Sequence, residues 1–174
     1  LLVNGDDTVT YFLPYATWQS LADGVTWLTR VEGMTAGGSG QQLVMERTAD
    51  GKVIGAILLF RYDEASSRLE VGYVLGRHAW HQGYATEALR GVLGCAFTEW
   101  GIRRIEAEVN PDNQASTALL LRLGFVQEGR LRQRWVAKGR TYDTNIYGCL
   151  AAEWGSQTPL PIRGGRGDAL RTKA

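Results

Sequence analysis

Three groups of residues in this chain have types and spacing that point to chemistry. The first is Trp80-His-Gln-Gly-Tyr-Ala-Thr86, a short polar loop between a strand-like run and a long amphipathic stretch. After Ala85 the apolar residues fall at Ala88, Leu89, Val92, Leu93, Ala96, Phe97 and Trp100, the three-then-four spacing of one helix face. A glycine-bearing turn at the start of such a helix presents free backbone N–H groups and the positive end of the macrodipole. That is an anion site, suited to phosphate or pyrophosphate. Gly83 lets the chain approach such a ligand closely, and Ala85 keeps the next position small. The second group is Glu70, on the small-residue face of a strand with Gly72, where a ligand would have room. A carboxylate there is a candidate general base, or equally an exposed or arginine-paired strand residue. The third is Asn113-Gln-Ala-Ser116 at the entry to a second helix, which taken alone reads as a capping turn.

The chain has no G-x-x-x-x-G-K-[ST] and no G-x-G-x-x-G, so neither a nucleoside triphosphate nor a dinucleotide is indicated. A resemblance is more specific. Glu70-Val-Gly-Tyr-Val-Leu75 followed by Trp80-His-Gln-Gly-Tyr-Ala-Thr-Glu-Ala88 resembles the coenzyme A loop of the GNAT acyltransferase superfamily. It is most similar to the branch of ribosomal-protein N-terminal acetyltransferases, RimJ/RimL-like. The family's common loop reads Gln/Arg-x-x-Gly-x-Gly/Ala. Trp80 stands first here, a variant seen in that branch, and His81 stands where glycine is usual. Asn113-x-x-Ser116 followed by Leu-Leu-Arg-Leu-Gly-Phe125 resembles the same branch's Asn-x-x-Ser…Gly-Phe motif. The resemblance covers residues 8–154, with its specific motifs in 68–147.

What the resemblance implies is an α/β (α+β) fold: a mixed, mostly antiparallel sheet, splayed between the fourth and fifth family strands, with helices on both faces. The implied function is acyl-CoA-dependent N-acyltransfer, acetyl first among the acyl groups. The amine acceptor would be a protein N-terminus or a small molecule, attacking directly in a ternary complex. Acetyl-CoA would be the cosubstrate, held by the amides of Gln82, Gly83, Tyr84, Ala85 and Thr86 at the pyrophosphate and by the backbone of Val74, Leu75 and Gly76 along pantetheine. An N–H in that backbone segment would polarise the acyl carbonyl. Asn113 would contact pantetheine and Ser116 would lie near the sulfur, while Glu70 matches a strand glutamate that serves as base in some branches. Many members use a tyrosine four residues before the glycine as general acid; here that position is Leu120, so Ser116 or a water would assist the leaving thiolate. The alternative is a non-catalytic, coenzyme A-binding regulatory or interaction module.

Composition fits a soluble domain. The 174 residues are 44% hydrophobic and 21% charged, with no apolar run near the ~20 residues a membrane span needs. The net charge of +1 is uneven: residues 155–174 carry four basic side chains against one acidic, while the body has fifteen against seventeen. The body therefore shows no nucleic-acid footprint. Cys95 and Cys149, without C-x-x-C spacing, read as reduced buried thiols of a cytoplasmic protein. His78 and His81 have no cysteine or acidic cluster at metal spacing, so no metal is expected.

The elements that must position these residues follow from periodicity. A helix is predicted over Thr17–Arg30, with Trp18, Leu21, Val25 and Leu28 on one side, then a glycine-rich flexible loop over 32–40. Strands are predicted over 42–48 and 53–60, joined by Ala49-Asp-Gly-Lys52, and over 68–75. The apolar second strand should be central and covered on both faces. The long helix follows, closed near Gly101, then a strand over 104–109, a helix over 115–123 and a hairpin of 125–136 with 141–150. Arg130, Arg132 and Arg134 alternate, so they should share one face, and Trp18, Trp27, Trp135 and Trp154 are candidates to line an acceptor groove. Asp143 and Tyr147 are expected to have at most a substrate-side role. The family's opening strand and most of its first helix have no clear counterpart, which suggests truncation rather than replacement of that layer by Leu1–Leu13. The domain is taken as 1–154, with 155–174 as an extension, and open sheet edges allow a homodimer.

Overall fold

Alternating strands with one apolar face must pair and cover that face, and here six of them do so in one sheet. They are β1 (Gly40–Arg47), β2 (Lys52–Asp63), β3 (Arg68–Leu75), β4 (Arg104–Val109), β5 (Val126–Ala137) and β6 (Arg140–Leu150), in the spatial order β1-β2-β3-β4-β6-β5. The helices are α1 (Asp7–Thr10), α2 (Leu21–Ala36), α3 (Tyr84–Thr98) and α4 (Gln114–Arg122). The computed structural model describes residues 1–154, and the extension expected at 155–174 lies outside the described residues.

Every neighbouring pair is antiparallel except β3 and β4. These two pair in parallel at Arg68↔Arg104, Leu69↔Ile105 and Glu70↔Glu106, and pairing ends there. Since β3 runs on to Leu75 and β4 to Val109, the strands part beyond Glu70. The expected splay is therefore present, with Glu70 at its vertex.

One face of the sheet carries the main core. Ile57, Leu59, Leu69, Val71 and Ile105 lie at 3% exposure or less and pack with Leu89, Leu93 and Ala96 of α3 and Leu120 of α4. Each fully buried leucine or isoleucine contributes about 1.5–3 kcal/mol, which pins the N-termini of α3 and α4 relative to the splay. On β2 this face is fully covered, but Ala56, Leu58 and Phe60 on the other face are only half-buried, so the expectation of cover on both faces holds in part. Their partners across the ladder include Gly72 and Glu70, which leaves that surface open above the candidate site.

Three departures from the sequence reading have local causes. α2 starts at Leu21 rather than Thr17, because Ser20 and Asp23 form a capping box that fixes its first turn. It then continues through Glu32-Gly-Met-Thr-Ala36, expected as loop, and stops only where Gly38 takes a positive φ of 66°. One glycine at 33 does not outweigh the helix formers around it. The stripe Leu21, Val25 and Leu28 lies at the surface, at 48–73% exposed, since α2 packs along β1 and buries Val31 instead. Leu1–Leu13 form no strand; Asp6 caps the single turn of α1 there.

Candidate active site

The loop expected to cradle an anion has the backbone geometry for it. Gly76 is followed by a 3-10 turn (Arg77–Ala79), and α3 then begins directly after Gly83. Gly83 is the N-cap at φ 84°, with no side-chain cap on the helix, so the amides of Tyr84, Ala85 and Thr86 form an uncapped first turn. A Cβ built on Gly83 meets no atom within 4 Å, so no side chain crowds that position. His81 adopts φ 59°. The position where glycine is usual does require a left-handed residue, and histidine supplies it at some cost. Gln82 turns its side-chain amide back onto the His78 carbonyl at 3.0 Å, bracing the loop.

At the near end of the splay, two polar groups already have partners. The Gly76 N–H donates to the Ile54 carbonyl at 2.8 Å, and the Leu75 carbonyl accepts from Trp80 Nε1 at 2.8 Å. Gly76 is thereby committed to the sheet as a donor, although it was expected to share the acyl and pantetheine contacts with Val74 and Leu75. The Trp80 indole is what ties the 80–86 loop to β3.

Glu70 shows both of the readings left open by the sequence. It is 7% exposed, and its Oε2 accepts from Arg61 Nη1 at 2.6 Å. Burial pushes its carboxyl above the ordinary range, and the Arg61 charge opposes that only in part. The same Arg61 Nη1 also donates to Glu108 Oε1 at 3.1 Å. Glu108 further accepts from Arg134 Nη2 at 3.2 Å and from Trp135 Nε1 at 2.8 Å. Burial works against its charge, but the hydrogen bonds from Arg134 and Trp135 outweigh it and hold the Glu108 carboxyl low. The carboxyls on the two parting strands are thus shifted in opposite directions, Glu70 upward and Glu108 downward.

Arg61 and Glu108 were not singled out from sequence. Glu108 was legible, since Glu106 and Glu108 alternate with buried Ile105, Ala107 and Val109. Arg61 was not, because it reaches the site from a bulge between Phe60 and Asp63 where it takes φ 52°.

Across the splay, Asn113 caps α4 by accepting from the Ser116 N–H at 3.1 Å, as the capping-turn reading expects. Ser116 Oγ lies 2.7 Å from the Tyr73 hydroxyl of β3. Leu120, in place of the usual tyrosine, is fully buried in the core. Asn145 Oδ1, on the β6 residue opposite Val109, is buried and unpartnered, which leaves an acceptor at the β4 end of the splay.

Other candidates fall elsewhere. Arg130, Arg132 and Arg134 do not form one alternating face, because the β5–β6 register shifts between Leu131 and Trp135 with Gln133 at φ 51°. Arg130 pairs with Asp143, whereas Arg134 turns to Glu108. The tryptophans split three ways: Trp18 stacks near Trp27 at 5.7 Å, Trp154 near Phe97 at 5.3 Å, and only Trp135 reaches the site. Tyr147 is a core residue whose hydroxyl joins Thr117 to Gln127. Among the described residues no cluster of His, Cys, Asp and Glu has metal-binding geometry, and no helix is long and apolar enough to cross a membrane.

The comparisons with known proteins agree with this geometry. The acetyltransferase (GNAT) domain family matches residues 1–126. The uncharacterized N-acetyltransferase YoaA of Bacillus subtilis is 32% identical over 82% of this chain and 80% of its own length. The crystal structure of a GCN5-related N-acetyltransferase from Brucella melitensis superposes with a TM-score of 0.78 at 30% identity, over 85% of this chain and 66% of that one. Mycobacterium smegmatis RimJ in complex with CoA-disulfide superposes at 0.75 and 25% identity, over 82% and 70% of the two chains. A splayed sheet with an uncapped α3, together with a family match over most of the chain, makes this protein a member of the GNAT acetyltransferase family and an acyl-CoA-dependent N-acetyltransferase.

Proposed function

We propose that this chain transfers an acetyl group from acetyl-CoA to a primary amine, of a protein N-terminus or a small molecule, by direct attack in a ternary complex. The observation that carries the reading is Glu70: a buried carboxylate of raised pKa at the vertex where β3 and β4 part. Acetyl-CoA supplies an activated thioester. The first-turn amides of α3, with those of Gln82 and Gly83, hold its pyrophosphate through the helix N-terminus. Leu75, whose N–H faces the splay, supplies the backbone contact toward pantetheine and the acyl oxygen. Its carbonyl is taken by Trp80, the Gly76 N–H by Ile54, and Val74, opposite Ala56 in the same ladder, faces β2. Asn113, whose Oδ1 is used by the cap, retains its side-chain N–H₂ as a donor for the arm, and Asn145 Oδ1 is a matching acceptor.

Glu70 takes the proton from the attacking amine, a task that needs a carboxyl titrating nearer neutrality than an exposed one. Ser116 Oγ donates a hydrogen bond to the leaving sulfur. The buried free thiols Cys95 and Cys149 suit a reducing, cytoplasmic setting.

The direct test is calorimetric titration of acetyl-CoA and free CoA into the protein, followed by thiol-release assays on a panel of N-terminal peptides, polyamines and small amines. Saturable binding with turnover on any amine is the expected result; saturable binding with no turnover on the whole panel favours the non-catalytic module instead. No binding removes both readings.

Arg61 gives a further expectation. Arg61→Met removes the charge that partly offsets burial at Glu70, so the Glu70 carboxyl rises further. The acidic limb of the kcat/KM profile then moves to higher pH, and activity below neutrality falls more than activity above it. A limb that stays in place dissociates Glu70 from the titration.

A further inference from the structure

The leaving-group side of the site contains a tyrosine after all, in a different place. Tyr73 is on the core-side face of β3, past the point where pairing with β4 ends. It spans the splay to the first turn of α4, where its hydroxyl lies 2.7 Å from Ser116 Oγ. The Ser116 backbone is fixed from the other side by the Asn113 cap. The neighbouring hydroxyl, Thr117 Oγ1, has a separate phenol partner in Tyr147 at 3.2 Å, and Tyr147 donates onward to Gln127 Oε1 at 3.1 Å. The two first-turn hydroxyls are thus held independently.

We propose that Tyr73 is a positioning residue for the departure of the thiol: its O–H donates to Ser116 Oγ and so turns the serine's own hydrogen toward the coenzyme sulfur. This rests on the reading of Ser116 given above. The phenol hydrogen has two acceptors on Ser116, Oγ at 2.7 Å and the backbone carbonyl at 3.4 Å. The shorter contact to Oγ is the one it takes, since a phenol is the better donor and an alcohol the better acceptor. With its one hydrogen given by Ser116 to Tyr73, the serine would have none for sulfur; with Tyr73 as donor, the serine hydrogen is free to point into the splay. Donation to Oγ also polarises the serine O–H, strengthening what it offers next. Burial pushes the phenol up to about 12, so Tyr73 keeps its hydrogen throughout the working range.

The step balances without an acid. The N–C bond forms as the C–S bond breaks, the amine proton goes to Glu70, and the C–S electron pair goes to sulfur. Ser116 stabilises that charge by hydrogen bonding. A thiol of ordinary pKa near 8.5 regains its proton from solvent after release, so neither hydroxyl needs to lose one.

The test is a double-mutant cycle in the intact chain with Tyr73→Phe, Ser116→Ala and both together, measuring kcat, KM for acetyl-CoA, and thermal midpoint. Phenylalanine keeps the ring and its packing. Tyr73→Phe is expected to lower kcat about ten-fold with KM for acetyl-CoA unchanged, and to cost nothing further once Ser116 is alanine. Equal losses in the two backgrounds, or a change in KM with kcat preserved, assign Tyr73 to packing and overturn the proposal while Ser116 keeps its role. A silent Ser116→Ala removes the underlying reading of Ser116 and the proposal with it. A silent Tyr73→Phe beside a damaging Ser116→Ala overturns the proposal alone.

Discussion

Glu70→Gln lowers kcat by roughly 10²–10⁴-fold, the range of a positioned general base, and leaves acetyl-CoA binding unchanged. Glutamine keeps the shape of the side chain and can still offer an oxygen to Arg61 Nη1, now 2.6 Å from Glu70 Oε2. What it loses is basicity and charge. Glu108, held low by its hydrogen bonds from Arg134 and Trp135 and paired with Arg61, is the weaker base and does not take over. The acidic limb of the kcat/KM profile, which tracks the Glu70 carboxyl, disappears in the variant. Stability carries the same sign information. A carboxyl whose folded pKa is raised contributes stability that is intact below the unfolded value and lost as pH rises through the folded one. Glutamine cannot ionise and escapes that loss, so the thermal midpoint of Glu70→Gln improves relative to wild type as pH rises from about 4 to neutrality. Unchanged turnover at saturating acceptor and neutral pH would return Glu70 to the arginine-paired structural carboxylate that the sequence reading held open.

How much of this site was legible in sequence depends on the range of the interaction. The turn proposed to bind an anion is local: Gly83, the small residue at 85 and the apolar period of α3 all lie within one stretch, and α3 begins directly after Gly83 with no side-chain cap. Strand alternation likewise puts Glu70 with Gly72 on one face, while Tyr73 shares the other with Leu69 and Val71. What alternation cannot show is a bulge. The extra residue in β2 swings Arg61 under Glu70, and the irregular register of β5 separates Arg130 from Arg134. Partners across the fold are equally silent. Ser116 and Tyr73 are 43 residues apart, and nothing in either local motif names the other. The extent of α2 failed for a different reason: glycines at 33, 37 and 38 read as loop composition, but only Gly38 takes a conformation that a helix cannot.

Gly83→Trp abolishes acetyl-CoA binding, and the reason separates a ligand effect from a folding one. At φ 84° any L-residue carries a left-handed penalty of roughly 1–2 kcal/mol, so alanine and tryptophan share that cost. Neither meets a protein atom at its Cβ, where the space within 4 Å is clear. The two differ in what they cover. Alanine adds one methyl group beside the first-turn amides of α3, whereas tryptophan lays a ring across the approach to them. Titration of acetyl-CoA into Gly83→Ala should show weakened, still saturable binding, and Gly83→Trp none, with similar thermal midpoints for the two. Equal binding by both variants would move the pyrophosphate off this loop and leave the uncapped helix terminus to solvent. Loss of binding by tryptophan alone, at unchanged stability, places the coenzyme over the amides of Tyr84, Ala85 and Thr86, with its reactive end directed along β3 toward Glu70.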